Sequence, residues 1–395
     1  MAITQRELFK THLAQTTDFP MSLEVIKAEG SYMYDPEGKK YLDLISGISV
    51  SNIGHRHPKV VAAIKKQVDQ YMHLMVYGEY IQSPQVQLAK KLSEKLGHGL
   101  NSVYFVNSGS EAIEGAMKLA KRATGRPEIL FMEKAYHGST QGALSVIGTE
   151  SFRRPYRPLL PMTHSLHFNS FADIESISRQ TAAVLVEPVQ GEAGYIPPAD
   201  GYLKALRQRC NATGTLMIFD EIQTGFGRTG KLFAHQHEQV FPDIITLAKG
   251  MGGGMPIGAF IANKKLMDHL KENPILGHIT TFGGHPVSCA AALASLKAIE
   301  DENLVEGVAS KSALFKKLLR HERIEEVRGK GLMLAVQLDT FENVQKVIDH
   351  CLREGVVSDW FLFRENAIRI SPPLNISEED IRTACRVILE GIDQL

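Results

Sequence analysis

Three short stretches of the chain carry side chains whose types and spacing could do chemistry. The first is NSGSEA, residues 107–112, which follows the apolar run SVYFV (102–106) and opens a helical pattern. Free backbone N–H groups and the positive end of a helix dipole face outward at such a junction. Gly109 lets a bulky anion approach the backbone, and Ser108 and Ser110 add hydroxyls, so the segment could cradle a phosphate. Ser108 and Glu111 also fit a plain S-x-x-E capping box that serves the helix alone.

The second stretch is LMIFDEIQTGFGRTG, residues 216–230. Its apolar run ends in Asp220, which places a carboxylate at the carboxyl edge of a sheet, where open α/β sheets bind ligands. Buried there, Asp220 needs a cationic partner or it neutralises. A protonated pyridine nitrogen is one such partner; a turn-capping aspartate is the simpler alternative. Glu221 beside it reads as structural.

The third is DIITLAKGMGGGMPIGAF, residues 243–260. A strand running to Lys249 is followed at once by Gly250, Gly252, Gly253 and Gly254. Glycines let other groups crowd the amine, and desolvation lowers a lysine toward nucleophilic function. The order of residues is not that of a Walker loop, and a snorkelling lysine before a flexible turn is the alternative. All three features fall at carboxyl ends of strands, on one rim. Three anchors for one planar, phosphorylated, cationic ring are what pyridoxal phosphate requires.

The elements that must position these groups are legible as pattern. Continuous apolar, β-rich runs at 102–106, 128–132, 182–189, 215–222, 243–249 and 258–263 read as strands buried on both faces. A helix over about 110–122, with Ala112, Ala116, Leu119 and Ala123 on one face, and room for further helices indicate an α/β domain with a largely parallel sheet. The final hundred residues predict helices near 288–300, 305–320, 342–354 and 378–392 around strands near 331–337 and 366–371. The expected division is an N-terminal segment, 1–55, packing with the small domain and holding a hairpin at 31–44. A large domain over 56–290 and a small C-terminal α/β domain over 291–395 follow.

Composition excludes several classes. Lys plus Arg and Asp plus Glu are both 44 in 395 residues, which leaves no net basic footprint for nucleic acid or an anionic membrane. Cys210, Cys289, Cys351 and Cys385 are scattered without a CxxC pair, which fits a reducing compartment and a cytoplasmic protein. No signal-peptide core or membrane-length apolar run is present. His55 with His57, and His235 with His237, have no further ligands at metal spacing. Trp360, Phe361 and Phe363 read as core or interface.

Taken together, SGSEAIEGAMKLA (108–120), AYHGST (135–140), EPVQGEAG (187–194), DEIQTGFGRTG (220–230), TLAKGMGGGMPIGA (246–259), TTFGGHP (280–286) and IRISPPL (368–374) resemble the class-III aminotransferases. The acetylornithine, ornithine and 4-aminobutyrate branch is most similar. The motifs run in order over about 54–374. The resemblance implies the fold-type I (aspartate-aminotransferase-like) architecture and a homodimer. It implies pyridoxal 5'-phosphate held covalently by Lys249, its ring nitrogen on Asp220, and its phosphate on Ser108, Gly109 and Ser110. Tyr136 would stack on the ring with His137 close by, Gln223 would approach the phenolic oxygen, and Thr281 would reach the neighbouring subunit's phosphate. Arg369 would take the α-carboxylate of glutamate or 2-oxoglutarate, and Glu192 would pair with it when an ω-amino substrate such as N-acetylornithine is bound.

Two positions depart from that branch. Ser139 stands where relatives carry an arginine for the distal carboxylate, with Arg153, Arg154 and Arg157 the nearest substitutes in sequence. Ile48 stands where ornithine aminotransferases carry tyrosine. The implied activity is ping-pong amino exchange between glutamate/2-oxoglutarate and an ω-amino compound. Alternatives are 4-aminobutyrate or another ω-amine as donor, a mutase, racemase or decarboxylase on the same scaffold, and a non-catalytic protein that kept the fold.

Overall fold

Alternation within otherwise apolar runs decides the central layer. In the strands Glu128–Met132, Thr181–Val186, Leu216–Asp220 and Ile244–Leu247, one set of residues (Leu130, Val184, Met217, Ile245) joins one apolar cluster. The intervening set (Ile129, Ala183, Ile218, Ile244) joins another on the opposite face. A strand whose two faces are both covered carries no polar alternation, and Thr181–Val186 is buried at all six positions.

The computed structural model describes residues 4–395; residues 1–3 of the expected N-terminal segment lie outside them. Seven strands form the main sheet in the spatial order Ser102–Val106, Gly258–Ala262, Ile244–Leu247, Leu216–Asp220, Thr181–Val186, Glu128–Met132, Thr163–Leu166. Only Gly258–Ala262 runs against its neighbours. The helix Gly109–Thr124 covers one face through Ala112, Ile113, Ala116 and Ala120. Among the helices on the other face are Ser83–Leu96, Tyr202–Thr213 and Pro286–Asp301.

Two further sheets build the rest. Glu326–Lys330, Met333–Gln337, Arg364–Ile370 and Trp360–Phe361 pair antiparallel, backed by the helices Val308–Leu318, Phe341–Arg353 and Glu378–Asp393. The strands at Glu326–Lys330 and Trp360–Phe361 were not expected. EVRGK lacks an apolar run, and a two-residue strand lies below any pattern signal. Near the N-terminus, Lys27–Glu29, Tyr32–Tyr34 and Lys40–Asp43 form a meander, and the C-terminal strand Val356–Val357 joins its edge in parallel.

Two backbone features aim residues at the rim of the main sheet. The strand expected through Lys249 ends at Leu247, because Lys249 takes φ 46 and turns into a short 3-10 segment. A left-handed lysine stores strain that neighbouring packing must hold. Ser46, Gly47, Ile48 and Ser49 make a single turn with φ of 54, 62, 59 and 63. Ile48 is β-branched and strained there. Asp43 holds the turn by accepting from the Ile45 and Ser46 amides at 2.8 and 2.9 Å, and Ser46 Oγ donates to Ser371 O at 2.8 Å.

One fully buried arginine joins these parts. Arg228 donates to Asn52 Oδ1 at 2.6 Å, to Leu332 O at 3.2 Å and to Pro372 O. Burial pulls its guanidinium down to about 10. Removing it leaves three buried acceptors unpaired, each worth about 1–3 kcal/mol. Arg228→Leu is therefore expected to lose about 3 kcal/mol or more of unfolding free energy in urea titration. A loss under about 1 kcal/mol, the cost of a single weak hydrogen bond, would contradict this role.

Candidate active site

The carboxyl ends of five sheet strands converge on a cavity of about 390 Å³. Val106 leads to Asn107–Ser110, Met132 to Tyr136–Gly138, Val186 to Glu187, the strand Leu216–Asp220 ends in Asp220 itself, and Leu247 leads to Lys249; the residues named at and beyond these strand ends line the cavity, while the apolar residues leading to them do not. Parallel strands bring their ends to one rim, so a site built there draws on residues far apart in sequence.

At the first strand end, Ser108 caps the helix Gly109–Thr124, its Oγ accepting from the Glu111 amide at 3.2 Å. Glu111 in turn accepts from Asn107 N at 2.7 Å. Ser108 therefore caps the helix, but the reciprocal half of the capping box is absent because Glu111 reaches Asn107 rather than the Ser108 amide; the first-turn amides of Gly109 and Ser110 have no helical carbonyl four residues back. Gly138 packs against this turn with φ 123, and a Cβ there would fall 2.1 Å from Ser110 Oγ. The close approach requires glycine.

Asp220 is 4% exposed. One oxygen is 2.7 Å from His137 Nδ1, and the other accepts from the Ile222 amide at 3.0 Å. His137 Nε2 and Gln223 Nε2 are buried and have no hydrogen-bond partner in the protein. Buried polar atoms without a partner are rare and call for one. Lys249 lies beside three carboxylates, Glu192, Asp220 and Glu187. Its removal from water nevertheless outweighs them and, with Arg369, holds the amine below the usual lysine range. Burial also pushes the Tyr136 phenol upward.

A second layer sits behind Glu192. Arg369, 2% exposed, faces Glu192 in a bidentate pair, with Nη1 to Oε1 at 2.9 Å and Nη2 to Oε2 at 2.8 Å. Burial alone would raise Glu192, but Arg369 holds it below the usual range. The guanidinium lies 4.4 Å from the centroid of the Phe361 ring.

Sequence reasoning missed Glu187. It is 5% exposed, accepts from the Gly191 amide at 3.0 Å, and lines the cavity. Its signal was available, since it directly follows the apolar run 182–186, much as Asp220 closes the run that begins at Leu216. Of the expected site residues, Thr281 alone lies clearly apart: it is exposed and outside this cavity. Arg153 and Arg157 pair with Glu150 and line a different cavity, so they do not stand in for an arginine at Ser139. Glu221 is structural, binding His235 Nδ1 and the His235 amide, each at 2.8 Å. His55 pairs with Asp43 and His57 with Glu302.

The profile of class-III aminotransferases matches residues 13–392. The chain belongs to the class-III aminotransferases. It is similar to an acetylornithine aminotransferase of Methanopyrus kandleri, 40% identical over 98% of both chains. It also resembles a [LysW]-aminoadipate semialdehyde/glutamate semialdehyde transaminase of Sulfurisphaera tokodaii, 38% identical over 94% of this chain and 95% of that one. Among solved structures, the ornithine aminotransferase of Toxoplasma gondii superposes with a TM-score of 0.91 at 29% identity, covering 98% of this chain and 93% of that one. As a class-III aminotransferase the chain is a transaminase of fold type I, and its cofactor is pyridoxal phosphate.

The residues present fit that cofactor. Unpaired helix-terminal amides suit a phosphate, a buried carboxylate suits a ring nitrogen, the orphaned Gln223 Nε2 donor awaits an acceptor, and a desolvated lysine faces the same space.

Glu187 gives this arrangement a measurable signature. Burial, and then Asp220, hold its carboxyl well above the usual value of 4.5. An acid whose folded-state value is raised binds its proton more tightly in the native state. Its contribution to stability is therefore present at low pH and lost as pH rises from 4.5 through the folded value. In the cofactor-free protein, Glu187→Gln should gain stability relative to wild type as pH rises across that window. A difference independent of pH in paired melting curves would contradict a buried carboxyl held above its usual range.

Proposed function

We propose that this aminotransferase exchanges an amino group between glutamate/2-oxoglutarate and an ω-amino compound, with N-acetylornithine the leading donor. The observation that carries this reading is the bidentate pairing of Arg369 with Glu192, which lines the cavity in front of it. An arginine placed to grip an α-carboxylate would be a costly lone charge whenever the donor has none beside its reacting amine. Glu192 fills that role and must leave when glutamate enters, so one site serves two unlike substrates. A mutase or racemase needs no such exchange. The names of the M. kandleri and S. tokodaii relatives support the ω-amino class.

In this reading the Gly109 and Ser110 amides with the hydroxyls of Ser108 and Ser110 hold the cofactor phosphate. Asp220, oriented by His137, holds the ring nitrogen; Tyr136 covers the ring face, and Gln223 Nε2 meets the phenolic oxygen. The bound cofactor supplies an electron sink for the carbon bearing the amine. Lys249 would hold the cofactor through its Nζ, and that same amine, once free, would be the base placed to move the proton at the carbon bearing the amine. Desolvation holds this amine below the usual lysine range, which favours its use as a base. Val50, Met255 and Ile257 give the cavity apolar walls that limit water.

We further propose a cytoplasmic homodimer. The four cysteines are free and buried. No helix among the described residues is long and apolar enough to cross a membrane. Tyr80, Ile81, Ile275, Leu276, Ile279 and Phe282 are 50–96% exposed, and the segments 76–86 and 275–283 line one groove next to Thr281. A second copy there would bury this face and let Thr281 contribute to the neighbour's phosphate site.

Spectral titration of the holoenzyme tests the reading. L-glutamate and N-acetylornithine should each convert the visible band of the lysine-bound cofactor into the near-ultraviolet band of its aminated form. A visible band that neither compound changes would overturn the exchange reaction. Lys249→Ala should lose covalent cofactor attachment and turnover together; normal turnover would remove Lys249 from its role. Arg369→Ala should damage the glutamate half-reaction by about 10² or more, the value of a charge-assisted bidentate pair, and the ω-amine half-reaction far less. Equal damage to both would contradict a dedicated α-carboxylate site.

A further inference from the structure

Arg369 has a second carboxylate partner that the exchange of Glu192 does not involve. Its Nε donates to Asp359 Oδ1 at 2.8 Å, and its backbone amide donates to Asp359 O, also at 2.8 Å. Nη2 makes an additional bond to Trp360 O at 3.1 Å. The guanidinium is therefore fixed along its Nε edge by the strand region 359–361 and offers its Nη1/Nη2 edge to the cavity side, where Glu192 sits. The two edges do different work. Glu192 is exchangeable, because a substrate carboxylate presents the same two oxygens to the same two nitrogens. Asp359 is not, because it lies on the far edge and is tied to the Arg369 backbone.

The charges have a consequence. With Glu192 in place, one cation faces two carboxylates. When a substrate carboxylate replaces Glu192, Asp359 remains, and the incoming anion meets a guanidinium whose charge is already shared. The interaction at such separations is strong in a partly dry site.

We propose that Asp359 is a positioning and specificity-determining residue. Its hydrogen bond keeps the Arg369 fork in place while Glu192 exchanges, and its negative charge weakens α-carboxylate binding, biasing the enzyme toward donors without a carboxylate beside the reacting amine. This rests on the reading of Arg369 as the α-carboxylate site.

Asn and Leu separate the two functions. Asp359→Asn keeps an oxygen for Nε and removes the charge; Asp359→Leu removes both. The probe is glutarate, a dicarboxylate with no amine or oxo group to react, measured by calorimetric titration of the holoenzyme. Asp359→Asn should bind glutarate about three- to tenfold more tightly than wild type. Its KM for glutamate should fall by a similar factor at little-changed kcat, raising kcat/KM for glutamate relative to N-acetylornithine. Asp359→Leu should bind glutarate more weakly than Asp359→Asn, because the fork loses its anchor. Glutarate affinity unchanged or weakened in Asp359→Asn would overturn the proposal, provided Arg369→Ala abolishes glutarate binding. If Arg369→Ala binds glutarate as wild type does, the α-carboxylate reading itself fails and takes this proposal with it.

Discussion

The site depends on holding the Asp220 carboxylate where the sheet has excluded water. An isolated buried carboxylate neutralises itself by taking a proton. Here His137 and the Ile222 amide occupy its oxygens, and the chain places Glu187, Glu192 and Lys249 around the same cavity. Charge of both signs in one desolvated space is tolerable only when each group has a defined partner. Much of the surrounding architecture supplies partners: the capped helix at Ser108, the left-handed turn at Lys249, and the strand carrying Arg369 to Glu192.

That arrangement explains why so many distant segments meet. Glu192 lies beyond one strand of the large sheet, while Arg369 lies on a strand of the small C-terminal sheet. Their pairing joins the two parts beside the cavity. Arg228 joins them again away from it, holding Asn52 and the carbonyls of Leu332 and Pro372.

Much of this was legible in the sequence because the signals are local. Apolar runs ending in Asp220 and near Lys249, and a cap motif at Ser108, place three groups at strand ends without any tertiary information. What was not legible depends on distance. Glu187 obeys the same strand-end rule as Asp220 but was passed over among the residues of a glycine-rich motif. Asp359 gains its meaning only from Arg369, ten residues on, across a bulged pairing of two-residue strand with its neighbour. The strand end at Leu247, two residues before Lys249, could not be read because Lys249 adopts a φ that side chains normally avoid. Arg153 and Arg157 looked available until Glu150 was found holding them.

The most direct test of the central claim uses a cofactor whose ring nitrogen is methylated and so permanently positive. Asp220→Ala reconstituted with ordinary pyridoxal phosphate should lose most of its glutamate half-reaction rate, because nothing then keeps the ring nitrogen charged. Reconstituted with the methylated cofactor, the same variant should recover a substantial part of that rate. Recovery would place the role of Asp220 in the charge of the ring. Equal rates with both cofactors would contradict it.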